Sequence, residues 1–190
     1  AKLITRDDLD GFNRTNIDLS TGTETLDPLS ENEFLYEEDI LAAYMNYGFK
    51  NGPWGFQLGL RAEQANITAT QITQDSAFQN NYFQVYPSAF VTYEIARGSE
   101  LNLSYSRRVQ RPGGRQLNPF IDYSDPFNLR QGNPYLLPSF TGSYELGYTQ
   151  ILKKGTTFTA NVYFRDRNNL ITWYSEVDTN GINTTSHQNL

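Results

Sequence analysis

Residues Leu101–Leu152 read LNLSYSRRVQ, then RPGGRQLNPFIDYSDPFNLRQGNPYLLPS, then FTGSYELGYTQIL, and this stretch decides the fold. Leu103 and Tyr105 alternate with serines in the first part, and Leu146 and Tyr148 alternate with polar or small residues in the last. A period of two places each set on its own face of a β-strand. The 29 residues between the two patterns are rich in Pro, Gly and Asn. A loop of that length inside an ordered domain usually carries function.

The same period of two recurs along the chain from residue 40 onward. The clearest case is residues 54–64, WGFQLGLRAEQ, in which apolar residues hold alternate positions as an amphipathic helix would not allow. The apolar set comprises Trp54, Phe56, Leu58, Leu60 and Ala62. Similar alternation predicts strands over residues 40–50, 86–95, 101–110, 140–152 and 157–165, a weaker continuation to 177, and another strand from about 182.

The connections between these predicted strands alternate in length. Residues 51–53, 96–100 and 153–155 are short turns, whereas loops of about 66–85, 111–139 and 167–182 are long. In an antiparallel meander alternate connections lie at the same end of the sheet, so one end has tight turns and the other has the long loops. That asymmetry is typical of outer-membrane barrels. Residues 1–39 are polar and turn-rich, and we expect a loop or an extended arm there.

The predicted fold is all-β, an antiparallel up-and-down meander that forms part of a large transmembrane β-barrel over residues 40–190. Six strands with a seventh begun are too few for a closed membrane barrel. An open sheet edge in lipid would leave backbone groups unpaired, so we expect the chain to be a piece of a larger barrel. An isolated piece would expose its edges and could self-associate through them.

A soluble β-sandwich binding domain, or a lipocalin-like barrel, remains the alternative, because sequence alone does not say which face points inward. Three features favour lipid on the outside. The apolar faces are long, aromatic residues lie toward their ends, and the opposite faces carry charge that suits a wet lumen. The charged set comprises Arg61, Glu63, Glu94, Arg108, Glu145 and Arg165.

Composition excludes several classes of function. The chain has no Cys, a single His and a formal net charge of −6, which excludes disulfides and thiol or His-rich metal sites and argues against binding nucleic acid. We predict no enzyme and no catalytic residue, because His187 is the only histidine available as a base. Asp122, Asp125 and Asn128 lack EF-hand spacing, so neither a metal nor a cofactor is predicted. No apolar run is long enough for a transmembrane helix, and AKLITRDDLD lacks the apolar core of a signal peptide.

The 111–139 loop holds the candidate ligand-binding residues. Its arginines suit anions and its aromatic rings suit stacking against sugars, whereas Asn-Pro, Asp-Pro and Pro-Gly pairs equally suit a loop that only folds on itself. Both interpretations stay open from the sequence. The candidates are Arg111, Arg115, Phe120, Asp122, Tyr123, Asp125, Phe127, Arg130 and Tyr135.

Several segments resemble a known family. These are SYSRRVQRP (104–112) with QLNPF (116–120), YSDPFN (123–128), QGNPYL (131–136) and SYELGY (143–148), together with YPSAF (86–90) and GLRAE (59–63). They are similar to the C-terminal part of the barrel domain in the outer-membrane β-barrel family of Bacteroidetes-type bacteria, which is TonB-dependent-receptor-like. The resemblance covers about residue 34 to the end and departs at Gly113–Gly114.

The resemblance implies a location in the outer membrane of a Gram-negative bacterium, in contact with lipid. It implies a receptor that binds and imports a nutrient, with a plug domain and a periplasmic energy-coupling protein that acts through N-terminal parts not recognisable in these residues. A non-transporting adhesin or assembly barrel is the alternative function within the same fold. The identity of the nutrient is not readable from the sequence.

Overall fold

The computed structural model describes residues 2–12, 15–17, 19–26, 31–152 and 155–190. The described residues form thirteen strands and a single four-residue helix. Their bounds are β1 Lys2–Phe12, β2 Thr15–Ile17, β3 Glu24–Leu26, β4 Asn32–Asn51, β5 Trp54–Gln71, β6 Ser76–Ala96, β7 Ser99–Gln110, α1 Gly114–Leu117, β8 Ile121–Asp122, β9 Asn128–Gln131, β10 Ser139–Ile151, β11 Thr157–Asn168, β12 Ile171–Val177 and β13 Asn183–Asn189.

Seven strands form one open sheet in the order β1-β4-β5-β6-β7-β10-β11. Every pair in it is antiparallel, and the order follows the chain. The predicted all-β, up-and-down meander is therefore confirmed. Among the described residues, no helix is long and apolar enough to cross a membrane.

The two ends of this sheet differ as predicted, with one correction. Residues 52–53 and 97–98 are tight turns at one end, which we call the turn end. The connections after β1, β7 and β11 lie at the opposite end, the loop end. The predicted long loop over residues 66–85 is wrong, because β5 and β6 continue through it and are joined by a turn at Ile72–Asp75. Lys153 and Lys154 of the third predicted turn lie outside the described residues.

The predicted loop or arm over residues 1–39 is also corrected. Residues 2–12 form β1 and pair along their whole length with residues 32–42 of β4, and a short β2–β3 hairpin follows. Backbone pairing with a neighbouring strand stabilises β1 although its side chains alternate weakly. Its inner positions carry Arg6, Asp8 and Asp10, and Arg6 is paired with Asp8.

Strand β5 inverts its polarity partway along. On β5 the outer face is apolar from Trp54 to Ala62 and polar beyond it, whereas the inner face is polar at the turn end and carries Ile67 and Ala69 at the loop end. On the outer face Leu58 is 47% exposed, and no second layer of the described chain covers it. This arrangement favours the barrel over the soluble sandwich, in which the apolar face would be buried against another sheet.

A second, four-stranded sheet in the order β12-β13-β9-β8 lies at the loop end. The predicted continuation of the meander through residue 177 is therefore wrong: the chain turns at Asn169, which has a positive φ of 54°, and β12 joins this second sheet. The predicted loop over 167–182 thus contains β12, and the predicted loop over 111–139 contains α1, β8 and β9. Asn tolerates the left-handed backbone conformation better than most residues, which explains the turn.

The buried apolar core lies under the long loop, which we define as residues 111–138. Two glycines allow the close packing there. A Cβ on Gly114 would lie 3.2 Å from the Cβ of Tyr36, and one on Gly132 would lie 2.4 Å from the carbonyl oxygen of Asn118. The core cluster comprises Phe34, Tyr36, Ile67, Ala69, Leu117 and Leu136, with Phe78, Tyr82 and Ile171 packed against it.

Candidate functional site

A cavity of about 580 Å³ opens at the loop end of the sheet. The ends of β1 and β4 form one side, the long loop another, and the β12–β13 hairpin the third. This volume is within the range of small-molecule sites in proteins. We call it the loop-side pocket, and its lining comprises Asp10, Asn32, Arg115, Gln116, Asn118, Phe120, Asp122, Ser124, Arg130, Gln131, Gly132, Trp173, Thr185 and His187.

Side-chain amides tie the long loop to the barrel wall beneath the pocket. The Nε2 of Gln71 donates to the Oδ1 of Asn32 at 2.8 Å, and the Nδ2 of Asn118 donates to the same oxygen at 3.3 Å. The Oδ1 of Asn118 also accepts a hydrogen bond from the backbone N–H of Phe120 at 3.0 Å. Because Gln71 is completely buried, these bonds hold the loop in one position above the wall.

Asn133 and Asn189 hold the hairpin against the long loop. The Nδ2 of Asn133 donates to the carbonyl oxygen of His187 at 3.0 Å. Asn189 accepts from the backbone N–H of Leu137 at 2.8 Å and donates to its carbonyl oxygen at 2.9 Å. Strand β13 also pairs in parallel with β9 of the loop. The three segments that line the pocket are therefore one hydrogen-bonded unit.

Trp173 and His187 form a cross-strand pair on the pocket face of the hairpin. Their ring centroids are 3.8 Å apart. Trp173 is 64% exposed, whereas His187 is 5% exposed and neither of its ring nitrogens has a hydrogen-bond partner among the described residues. Burial lowers the pKa of His187 below its ordinary value of 6.5, so the ring is neutral at pH 7.

The charges that line the pocket are balanced. Arg115 lies 3.6 Å from Asp10. The pKa of Asp122 is lowered, first by hydrogen bonds from the hydroxyl and backbone N–H of Ser124 and then by the nearby charge of Arg130. Two arginines and two aspartates therefore face the cavity, and their formal charges cancel.

Arg111 lies below the pocket in a buried ion network on the inner wall. Its Nη2 donates to the Oε2 of Glu63 at 2.6 Å, and its Nε donates to the hydroxyl of Tyr82 at 2.6 Å. Glu63 is completely buried and also pairs with Arg61, while Glu38 lies 3.6 Å from the Nε of Arg111. This network fixes the first residue of the long loop to β4, β5 and β6.

The structure separates the nine predicted site residues. Arg115, Phe120, Asp122 and Arg130 line the pocket, and Arg111 belongs to the ion network. The other four lie outside the pocket lining: Tyr123, Asp125, Phe127 and Tyr135. The carboxylate of Asp125 accepts bonds from the backbone of residues 127 and 128 and from the Asn128 side chain, which makes it a turn former. Among the described residues, no group of three or more His, Cys, Asp or Glu side chains could hold a metal ion.

Sequence reasoning missed ten of the fourteen residues that line the pocket. Five of the missed residues lie in the long loop itself. The other five come from β1 and the start of β4, which were predicted as a polar arm, and from the hairpin, which was predicted as part of the meander. One sequence signal could have found the hairpin: the aromatic residue Trp173 is followed at residues 178–181 by the turn sequence Asp-Thr-Asn-Gly. The missed lining residues include Asp10, Asn32, Trp173, Thr185 and His187.

The outer face of the sheet has the dimensions of a membrane-spanning band. On β5 it is apolar over nine residues, Trp54–Ala62. That is about 30 Å of strand, or about 23 Å of height at a typical barrel tilt. Aromatic rings gather at the turn end, where Trp54 lies 4.4 Å from Tyr93 and Phe49 lies 4.7 Å from Phe56 between ring centroids. This is the position of an interfacial aromatic girdle.

These features define the wall of an outer-membrane β-barrel, in the outer membrane of a Gram-negative bacterium. The chain belongs to the outer membrane protein beta-barrel family, whose family model matches residues 1–190. Its fold is similar to that of the hemophore receptor HasR of Serratia marcescens, solved as a double mutant in complex with its hemophore HasA and heme, with a TM-score of 0.65 and 14% identity. The match covers 98% of this chain and 37% of that receptor. A search of curated protein sequences finds no significant match.

The topology predicts which residues can be labelled from outside the cell. In the complete barrel, Asn180→Cys in the hairpin turn should react with a membrane-impermeant maleimide on intact cells, because long loops are extracellular. Asn51→Cys at the turn end should react only after the outer membrane is permeabilised. This chain has no Cys of its own, so within it each variant offers one thiol. Equal labelling of both variants on intact cells would contradict the orientation.

The buried His187 predicts a pH dependence of the hairpin. Because its pKa in the folded protein is lowered from 6.5, the unfolded chain binds more protons below that pH, and the hairpin loses stability as pH falls. The backbone N–H of Ile182 is the main cause that lowers the pKa of Asp178. The stability that this carboxylate contributes is therefore lost only as the pH falls below its ordinary pKa of 3.8. Hydrogen exchange of β12 and β13, corrected for intrinsic rates, should speed up between about pH 7 and 5.

A matched variant isolates the histidine in that measurement. His187→Phe keeps a ring against Trp173 and removes the titrating group, so exchange in β12 and β13 should become independent of pH over the same interval. An unchanged pH dependence in this variant would assign the effect to another group.

Proposed function

We propose that this chain is the wall of an outer-membrane receptor that binds a nutrient in the loop-side pocket and imports it across the outer membrane. One observation carries the proposal. The long loop folds over the barrel wall and, together with the hairpin, borders a cavity of about 580 Å³ at the loop end of the sheet. A site placed there is suited to capture a solute before passage.

The proposed importer is TonB-dependent-receptor-like. In that scheme, parts outside this chain supply a plug and the contact with a periplasmic energy-coupling protein, while this chain supplies the extracellular site. The fold similarity to the HasR barrel supports the scheme, since HasR is a receptor solved with a bound ligand. The proposed role is binding and transport and not catalysis.

A non-transporting adhesin or assembly barrel is the second candidate, and exposed aromatic side chains favour it. Phe127 is 69% exposed and Tyr135 is 77% exposed, and both lie outside the pocket lining on the extracellular loop. Large exposed apolar side chains often mark a protein-binding surface.

Uptake by whole cells separates the two candidates. Cells with the complete receptor, cells without it and cells with Thr185→Trp, which fills the pocket from β13, are grown in a defined mixture of small nutrients. Mass spectrometry of the medium should show at least one solute that the cells with the complete receptor deplete and the cells without it or with Thr185→Trp do not. Gln188→Trp, an exposed position on the opposite face of β13, is the control and should deplete it normally.

The opposite result also has a definite meaning. If all four strains deplete the same solutes at the same rates, the receptor is not an importer of these nutrients, and the binding-only candidate replaces it.

A further inference from the structure

The electrostatics of the loop-side pocket restrict the charge of its ligand. Arg115 faces Asp10, and Arg130 lies close enough to lower the pKa of Asp122. An anionic ligand would have to compete with these carboxylates, and a cationic ligand would have to compete with the arginines. The balanced lining therefore favours a ligand with no net charge.

Two side-chain amide groups in the pocket restrict the polarity of the ligand. The Oε1 of Gln116 accepts from the backbone N–H of Gly113, and the Nε2 of Gln131 donates to the carbonyl of Pro119. The other side-chain atoms, Nε2 of Gln116 and Oε1 of Gln131, have no protein partner among the described residues. The pocket thus offers both donors and acceptors, which match hydroxyl groups that donate and accept at once.

An exposed aromatic ring in the pocket restricts the shape of the ligand. Trp173 is 64% exposed although it lines the pocket, and the partner ring that it contacts is His187. Phe120 of the long loop lines the same cavity. Aromatic rings bury the flat apolar face of a ligand at a low entropic cost, while a polar rim binds its edges.

We propose that the loop-side pocket binds a neutral, hydroxyl-rich small molecule of the mono- or disaccharide class, with Trp173 as the stacking platform and Gln116 and Gln131 as hydrogen-bonding groups. This inference rests on the proposed receptor function and specifies its ligand. It assigns no ligand role to the buried Arg111 or to the arginines that line the pocket.

The test is titration calorimetry on the complete receptor purified in detergent. The probes are glucose, maltose, sucrose and cellobiose, with citrate, inorganic phosphate and hemin as charged comparisons. At least one sugar should bind saturably and should be blocked by Thr185→Trp. Neither citrate nor phosphate should compete with it.

Variants then separate stacking from folding. Trp173→Ala should weaken sugar binding about tenfold, and Trp173→Phe should retain most of it. Tyr174→Ala, on the opposite face of the same strand, should change nothing.

Several results would overturn the inference. One is no binding by any of the four sugars. Others are equal loss of affinity in Trp173→Ala and Tyr174→Ala, or pocket-dependent binding of citrate, phosphate or hemin in place of sugar. In that last case the uptake experiment can still succeed, so the failure of the ligand class is distinguishable from failure of the importer.

Discussion

Replacing Glu63 with alanine is expected to lower the free energy of unfolding of the complete barrel by about 3–5 kcal/mol. The side chain is completely buried and carries the negative charge between Arg111 and Arg61. Its removal leaves two guanidinium groups on the inner wall with Glu38 as the remaining carboxylate of the network. Breaking a buried ion pair from one side costs more than the pair contributes, because the partner charge stays buried.

The measurement is equilibrium unfolding in urea of the barrel in lipid vesicles, followed by tryptophan fluorescence. Glu63→Gln keeps the volume and removes the charge, so it separates electrostatics from packing. Glu145→Ala is the matched control, because Glu145 is an inward-facing, exposed carboxylate without an ion pair among the described residues, and it should cost under about 1 kcal/mol. Similar costs for Glu63→Ala and Glu145→Ala would show that the network does not fix the loop.

Replacing Leu58 with arginine is expected to cost about 2–4 kcal/mol in the same vesicle measurement. Leu58 is the middle residue of the apolar outer band on β5 and faces hydrocarbon near the bilayer centre. Gln57→Arg, one position along the same strand, places an identical charge in the water-filled lumen and should cost far less. Equal costs for the two variants would remove the assignment of the outer face to lipid.

The strands that cross the membrane could be predicted because their polarity alternates without a break. Residues 54–62 show five apolar side chains on one face, and the structure places all five on the outer face. The apolar face can be recognised from the local sequence alone, because lipid covers it and no distant segment of the protein does. The same uniformity explains why the charged inner positions were recognised as lumenal.

The loop-end strands could not be predicted because the apolar set changes faces. Ala62 belongs to the outer apolar face, whereas Ala65 and Ile67 are buried on the inner face under the long loop. When the apolar residues move to the other face within one strand, a short stretch of sequence shows an interrupted alternation that resembles the end of the strand. The inversion follows from the change of solvent, because beyond the bilayer water covers the outer face and protein covers the inner one.

The pocket was predictable only in part because its partners are distant in sequence. Arg115 and Phe120 belong to a loop whose length and composition indicate function, and both line the cavity. Asp10 and Trp173 reach it from β1 and from the hairpin, and no local pattern connects these segments. The same holds for Arg111 and Glu63, which are 48 residues apart.

At the loop end, β4 and β5 extend well beyond the apolar band of the outer face. From Ala62 to Gln71, whose amide supports the pocket floor, β5 runs on for nine residues, or about 30 Å of strand. In the proposed importer, a molecule bound in the loop-side pocket would lie well outside the hydrocarbon, with the whole bilayer still to cross. Substitutions in this extension should change the solute concentration at which uptake is half-maximal and leave the maximal uptake rate unchanged.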